Sequence, residues 1–225
     1  MNEGQQVQEL SLADFKDYQD NGFLVVDTRD PQTFASGFIP GAVNIPYGNQ
    51  FEGIAETVLM KDRAIILATG GEEEAGGLKS MGFTNVAGYL SGGIETWMNA
   101  EDSIDMIISI PSYEFALDFK HDENLTLFDL RPELAFQQEH LKDSYNRAAD
   151  SLIGELTDLN LNKTYYIICW DGQLSMAVVS LIKGRGYHNF YHIAGGFQAV
   201  REEEKVELIK PKKQQQTQKG QDKSK

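Results

Sequence analysis

Tyr165-Tyr166-Ile167-Ile168, then Cys169-Trp170-Asp171-Gly172-Gln173-Leu174-Ser175, then Met176-Ala177-Val178-Val179-Ser180-Leu181-Ile182 form one continuous stretch that decides how this chain is read. The first run is aromatic and β-branched, which predicts a buried strand. The last has apolar residues at helical spacing, which predicts an amphipathic helix. A short loop from a strand's carboxyl end to a helix's amino end gathers unpaired backbone N–H groups, and these together with the helix dipole favour an anion. The protein's single cysteine, Cys169, stands at the mouth of that loop. Such a position is expected to lower a thiol pKa and so to favour the nucleophilic thiolate. The same residues also fit a buried, inert thiol, because free cysteine commonly behaves as a small hydrophobe. The rest of the chain weighs between the two.

Working outward, the strand-and-loop unit is written twice. Phe23-Leu24-Val25-Val26-Asp27-Thr28-Arg29 recurs as Leu125-Thr126-Leu127-Phe128-Asp129-Leu130-Arg131, an offset of 102 that Phe34/Phe136 and Asn44/Asn146 keep. Gly82-Phe83 pairs with Gly186-Tyr187, and Ser91-Gly92-Gly93-Ile94-Glu95 with Ala194-Gly195-Gly196-Phe197-Gln198. Two homologous domains follow, residues 1–102 and 103–208, abutting at a short junction that is not rich in Pro or Gly. Within the first, Ser11 is placed to cap a helix with Asp14 in its first turn. Strands are predicted at Leu24-Val25-Val26, Ile65-Ile66-Leu67 and near Val86-Ala87-Gly88-Tyr89, and Gly92-Gly93 opens a helix ending near Trp97. Alternation of short strands and helices predicts an α/β fold, each domain a mostly parallel sheet flanked by helices. Ligands in such sheets bind at the carboxyl ends of the strands, where Cys169 is placed.

Composition narrows the function classes. One cysteine excludes an intrachain disulfide framework and points to a reducing compartment. The opening Met1-Asn2-Glu3-Gly4-Gln5-Gln6 lacks the basic start and apolar core of a secretory signal, and no apolar run is long enough to span a bilayer. A cytoplasmic protein with no membrane partner is the expectation. Residues 1–208 hold 14 Lys and Arg against 33 Asp and Glu, whereas residues 209–225 hold six Lys against one Asp. So acidic a body argues against nucleic acid as a partner. The Lys/Gln-rich segment 209–225 has no apolar periodicity and is expected to be a disordered tail.

Asp27-Thr28-Arg29, Gly37-Phe38-Ile39-Pro40-Gly41-Ala42-Val43-Asn44-Ile45-Pro46 and Gly92-Gly93-Ile94-Glu95-Thr96-Trp97 together resemble the signatures of the rhodanese family over nearly the whole chain. A degenerate first copy beside a cysteine-bearing second, with the phrase Gly88-Tyr89-Leu90-Ser91-Gly92-Gly93, also resembles the rhodanese half of metallo-β-lactamase-fold/rhodanese fusions. The lactamase-like part is missing, and no His-x-His-x-Asp-His cluster is present, so neither metal nor cofactor is expected. The resemblance implies tandem rhodanese domains and a sulfurtransferase in which Cys169 takes a sulfane sulfur as a persulfide. A small sulfur donor and a thiol or cyanide acceptor would be its substrates, and a persulfide-handling protein a partner. An alternative from another class is a non-catalytic tandem module that binds a partner or senses redox state through Cys169.

Only the second copy carries the cysteine. Seventeen positions separate Cys169 from Gly186, matching the family arrangement. Ala68 to Gly82 spans fourteen, which reads as loss of the sulfur and of about one turn of loop. Glu72-Glu73-Glu74 fall where an anion would be held and would repel one, so the first copy is expected to be inactive. In the second copy, Leu174 stands where the family has Arg, which weakens the case for thiosulfate and raises that for a glutathione-type or protein persulfide. A phosphatase related to rhodaneses would need a loop one residue longer, ending in Arg. The N–H groups of Trp170, Asp171, Gly172, Gln173, Leu174 and Ser175 are expected to hold the terminal sulfur. Asp129 and Arg131 are read as tying the strand end to neighbouring loops. Arg147 is the candidate cation near the site, an ordinary surface Arg being the competing reading, and His140 is a candidate proton donor.

Overall fold

The computed structural model describes residues 7–119 and 125–211. In the first unit, β1 (Gln8–Leu10), α1 (Leu12–Asp20), β2 (Leu24–Asp27), α2 (Pro31–Ala35) and β3 (Val43–Asn44) lead to α3 (Phe51–Val58). Then come β4 (Ile65–Leu67), α4 (Glu72–Ser80), β5 (Val86–Leu90) and α5 (Gly93–Asn99). Runs such as Ile65-Ile66-Leu67, wholly buried, form central strands because both of their faces are covered. Ser11 caps α1, its Oγ accepting the Asp14 N–H.

The second unit repeats the plan with β6 (Ser109–Ile110), α6 (Ser112–Asp118), β7 (Leu125–Asp129), α7 (Glu133–Gln138), β8 (His140–Leu141) and β9 (Ser144–Asn146). It continues through α8 (Ala149–Gly154), β10 (Thr164–Ile168), α9 (Gln173–Gly184), β11 (Phe190–Ile193), α10 (Gly196–Val200) and β12 (Leu208–Ile209). The sheet orders β1-β5-β4-β2-β3 and β6-β11-β10-β7-β9 are the same order twice, and every neighbouring pair is parallel. The fold is therefore α/β, two tandem parallel sheets flanked by helices. A small antiparallel pairing closes each unit: Phe38 bridges Asp105 in the first, and β12 pairs with β8 in the second, where Lys210 Nζ also reaches Glu139 at 2.7 Å. The rest of the Lys/Gln-rich segment, from 212, lies outside the described residues.

One hydrophobic core runs through both units, and a smaller one, around Phe115, Ile168 and Phe197, lies within the second. The helix after the cysteine loop was expected to be amphipathic, but every side chain from Ser175 to Ile182 is buried. One face packs on its own sheet and the other meets β3 and α3 of the first unit. A helix covered on both sides has no solvated stripe, so its small polar residues must find internal partners. Ser180 Oγ accepts the Asn44 N–H at 3.0 Å, and the backbone of Gly184 approaches that of Gly41. This packing sets the first unit over the cysteine loop.

Candidate active site

Strand β10 sits at the centre of its sheet, so its carboxyl end opens between the loops that follow β7 and β11. Leu130 N–H bonds the Ile168 carbonyl at 2.8 Å, which aligns the end of β7 with the start of the Cys169 loop. On the other side, Gly195 and Gly196 turn through the left-handed region with φ of 72° and 60°. The chain leaving that turn holds the loop from below: Phe197 N–H bonds the Cys169 carbonyl at 2.8 Å, and Gln198 N–H bonds that of Trp170 at 3.0 Å. Gly172, itself at φ 96°, lets the loop reverse into α9.

Within this frame two backbone donors converge on the sulfur. Gly172 N–H and Ser175 N–H lie 3.2 and 3.3 Å from Cys169 Sγ, and Ser175 Oγ is 3.4 Å away. The full set of amides from Trp170 to Ser175 does not converge as expected. Asp171 intervenes: its Oδ1 accepts the Gln173 N–H at 3.1 Å, and its Oδ2 bonds the Gln173 amide and Gln50 of the first unit. A carboxylate already occupies the amino end of α9, as the helix dipole favours.

The expected lowering of the thiol pKa is likewise not found. Cys169 is 3% exposed, and burial pushes the thiol up. The donors from Ser175 and Gly172 oppose that shift, whereas the Asp171 carboxylate, with Oδ1 4.0 Å from the sulfur, adds to it. Desolvation of the anion outweighs the Ser175 hydroxyl and the two peptide dipoles together.

The supporting residues separate into two groups. Asp129 and Arg131 form a buried two-pronged ion pair, 2.7 Å at the shortest, and Arg131 also donates to the Glu139 carbonyl and lies over the Phe197 ring at 3.3 Å. Trp170, 44% exposed, stacks toward Phe197 with centroids 6.1 Å apart. His140 and Arg147 each have a partner outside the cysteine loop. His140 Nδ1 bonds the Phe136 carbonyl at 2.8 Å and its ring stacks on Phe136, while Arg147 pairs with Glu155 at 2.8 Å. A cleft of about 900 Å³ opens beside Leu174, between Glu56 of α3 and Leu130, Glu133, Phe136 and Asp150 of the second unit. Its cation, Arg131, is already committed to Asp129, which leaves Glu133 and Asp150 among apolar and neutral polar side chains.

The residue that sequence reasoning missed is His192. Its ring is 1% exposed, and Nδ1 lies 3.1 Å from Ser175 Oγ. The available signal was its place two residues before Ala194-Gly195-Gly196, at the end of the strand beside β10. Burial lowers its pKa from 6.5 to about 3. The folded ring thus stays neutral while the unfolded one protonates, so stability is lost as pH falls from 6.5 toward about 3. At one pH unit below the unfolded pKa, His192→Asn is expected to retain about 1 kcal/mol more of its neutral-pH stability than the parent. Urea denaturation of both proteins along an acid series measures this; parallel losses would contradict it.

In the first unit the equivalent loop is closed. Ala68 replaces the cysteine, and Glu74 folds back so that its Oε2 accepts the Gly71 N–H at 2.7 Å. The three-residue deficit, expected in the loop, falls instead in the helix. Both helices begin four positions after Ala68 or Cys169, but α4 has 9 residues and α9 has 12.

A rhodanese-like domain model matches residues 11–100 and 112–203. The thiosulfate sulfurtransferase GlpE of Pseudomonas syringae pv. syringae (strain B728a) is 26% identical over 80 residues, covering 36% of this chain and 76% of that protein. GlpE of Pseudomonas putida (strain GB-1) is 25% identical over 88 residues, 39% and 80% of the two chains. Among solved structures, a rhodanese-related protein from Thermoplasma volcanium aligns with 45% of this chain and 97% of its own, at 24% identity and TM-score 0.40. A thiosulfate sulfurtransferase from Pseudomonas aeruginosa aligns with 87% of this chain and 39% of its own, at 17% identity and TM-score 0.38. Among the described residues no helix is long and apolar enough to cross a membrane.

Proposed function

The chain belongs to the rhodanese-like domain family, and on that premise we propose that it is a sulfurtransferase working through a Cys169 persulfide in its second unit. The observation that carries this reading is the pair of backbone N–H groups, from Gly172 and Ser175, aimed at the one thiol in the protein. Dipoles fixed in place before the reaction stabilise a sulfur anion without reorganising when it forms.

In the first step the Cys169 sulfur attacks the outer sulfur of the donor. A bond forms to Cys169, the donor's S–S bond breaks, and a thiolate or sulfite departs. In the second, an acceptor thiolate attacks the outer sulfur of the Cys169 persulfide, and Cys169 leaves as thiolate. Substrates would approach through the cleft beside Leu174. With Glu133 and Asp150 beside it and, among the described residues of its lining, no uncommitted Arg or Lys, that cleft disfavours a doubly charged inorganic donor. A donor whose charge stays outside the cleft, such as a protein persulfide or the cysteinyl end of a glutathione-type one, fits better. The first unit, its loop filled by Glu74, serves as scaffold and cover.

The second reading, a non-catalytic module, draws on the 3% exposure of Cys169 and its raised thiol pKa. Intact-mass measurement separates the two. Incubation with glutathione persulfide is expected to add one sulfur to the protein, thiosulfate to add it more slowly, and Cys169→Ser to add none. No adduct from either donor would leave the non-catalytic module standing.

A further inference from the structure

Two backbone donors face a sulfur whose ionisation is opposed by burial and by Asp171. A third donor is within reach, but its aim is open. Ser175 Oγ lies 3.4 Å from Cys169 Sγ, 3.1 Å from the Gly172 carbonyl and 3.1 Å from His192 Nδ1. A hydroxyl has one proton and two lone pairs, so Ser175 either accepts from the thiol or donates to the thiolate. We propose, resting on the sulfurtransferase reading above, that His192 is a positioning residue whose Nδ1–H donates to Ser175 Oγ and so aims the Ser175 hydroxyl at the Cys169 sulfur.

The arrangement follows from which ring nitrogen carries the proton. Were it Nε2, Nδ1 would be an acceptor and would draw the hydroxyl proton away from the sulfur. With Nδ1–H, the ring fills a lone pair of Oγ, and the hydroxyl proton is left to choose between the Gly172 carbonyl and a sulfur anion. The charged acceptor wins that competition. Gly172 N–H, Ser175 N–H and Ser175 O–H then converge on the sulfur.

The ring is held for this task. His192 lies on β11 between β10 and β6, opposite Ile167 on one side and Ser109 on the other. Gly172 lies against its edge, so closely that a Cβ there would stand 3.1 Å from Cε1. The ring stays neutral in its buried place and brings no charge that would need a partner. Among the described residues, the titratable groups bonded to this Ser175–sulfur pair are His192 itself and Asp171. When a persulfide donor is attacked, the thiol proton leaves on the departing thiol, and His192 is neutral before and after. In the first unit the Gly-Gly register puts Tyr89 at this position, above a loop with no sulfur.

The test is the ultraviolet thiolate absorbance against pH, taken as a difference from Cys169→Ser so that tyrosine ionisation cancels. Ser175→Ala and His192→Phe are each expected to raise the midpoint by about one pH unit, tenfold less thiolate at neutral pH. The double variant should move it no further than Ser175→Ala, because His192 acts through Ser175. His192→Asn, whose amide N–H can donate to Oγ, should titrate close to the parent. An unmoved midpoint in His192→Phe, or additive shifts in the double variant, would overturn the proposal. Ser175→Ala and His192→Asn carry the comparison if His192→Phe does not fold; a His192→Asn midpoint raised as far as that of Ser175→Ala would also overturn it. Should no donor sulfurate the parent, the transfer reading fails while this titration still decides the role of His192.

Discussion

Gly196→Ala is expected to lower stability by about 3 kcal/mol and to abolish sulfur uptake at Cys169. A Cβ at this position would stand 2.7 Å from the Cys169 carbonyl oxygen, 2.7 Å from Gly172 N and 2.8 Å from Asp171 N. All three are backbone atoms of the reactive loop, so none can swing aside as a side-chain tip would. The backbone there has φ 60°, which adds the left-handed strain of any L residue. Relief requires the loop to lift off the Gly195-Gly196 turn. Phe197 N–H then loses the Cys169 carbonyl, and the donors at Gly172 and Ser175 lose the sulfur. Gly186→Ala is the matched control: it shares the positive φ, at 91°, but has open space around it, and should cost about 1 kcal/mol with uptake intact. Urea denaturation and intact mass on the same samples measure both effects. Equal losses in the two variants would show that contact with the loop does not matter.

Asp129→Ala should destabilise by about 3–5 kcal/mol, since it leaves an arginine buried without its counter-charge. The Arg131 side chain is 1% exposed, and its remaining partners are the Glu139 carbonyl and the rings of Phe197 and Trp170, none of which carries a negative charge. The first unit supplies the comparison. Arg29 makes the same pair with Asp27 at 2.6 Å, but its side chain is 17% exposed, so water can reach the guanidinium when the carboxylate is gone. Asp27→Ala is expected to cost about 1 kcal/mol less than Asp129→Ala for that reason, even though Asp27 also accepts from Thr69. Chemical denaturation of the two single variants gives the difference. A larger loss for Asp27→Ala would mean that desolvation of the arginine is not the governing term. Asp129→Leu combined with Arg131→Met, which removes both charges, should recover most of the stability.

Much of the fold lay open in the residues themselves. Tyr165–Ile168 and Ile65–Leu67 are strands because they are apolar, β-branched or aromatic, and of strand length. Ser11 and Asp14 announce a helix start, and Gly92-Gly93 and Gly195-Gly196 announce turns that L side chains disfavour. The Asp129–Arg131 tie was also legible, since an acid and a base two positions apart at a strand end have few other uses in a parallel sheet. Less could be read where distance along the chain mattered. The spacing from Ala68 to Gly82 gives a total length, but not whether loop or helix lost the three residues; helix starts at Glu72 and Gln173 settle that. Arg147 and His140 were placed near the site by their sequence neighbourhood, yet Glu155 and Phe136 hold them.

By itself, then, the order of residues determined the repeated strand–helix plan, the loop that carries Cys169 and the replacement of its counterpart by Ala68. These are local matters of periodicity, turn chemistry and side-chain identity, and each is decided within about ten neighbouring positions. Only the folded chain decided the state of the sulfur. It is buried in a core to which β3 and α3 of the first unit, more than a hundred residues away, contribute; its third donor depends on His192, brought beside Ser175 by the parallel pairing of β10 with β11. Desolvation and hydrogen-bond direction depend on what surrounds an atom from all sides, and a linear string specifies only the neighbours along one.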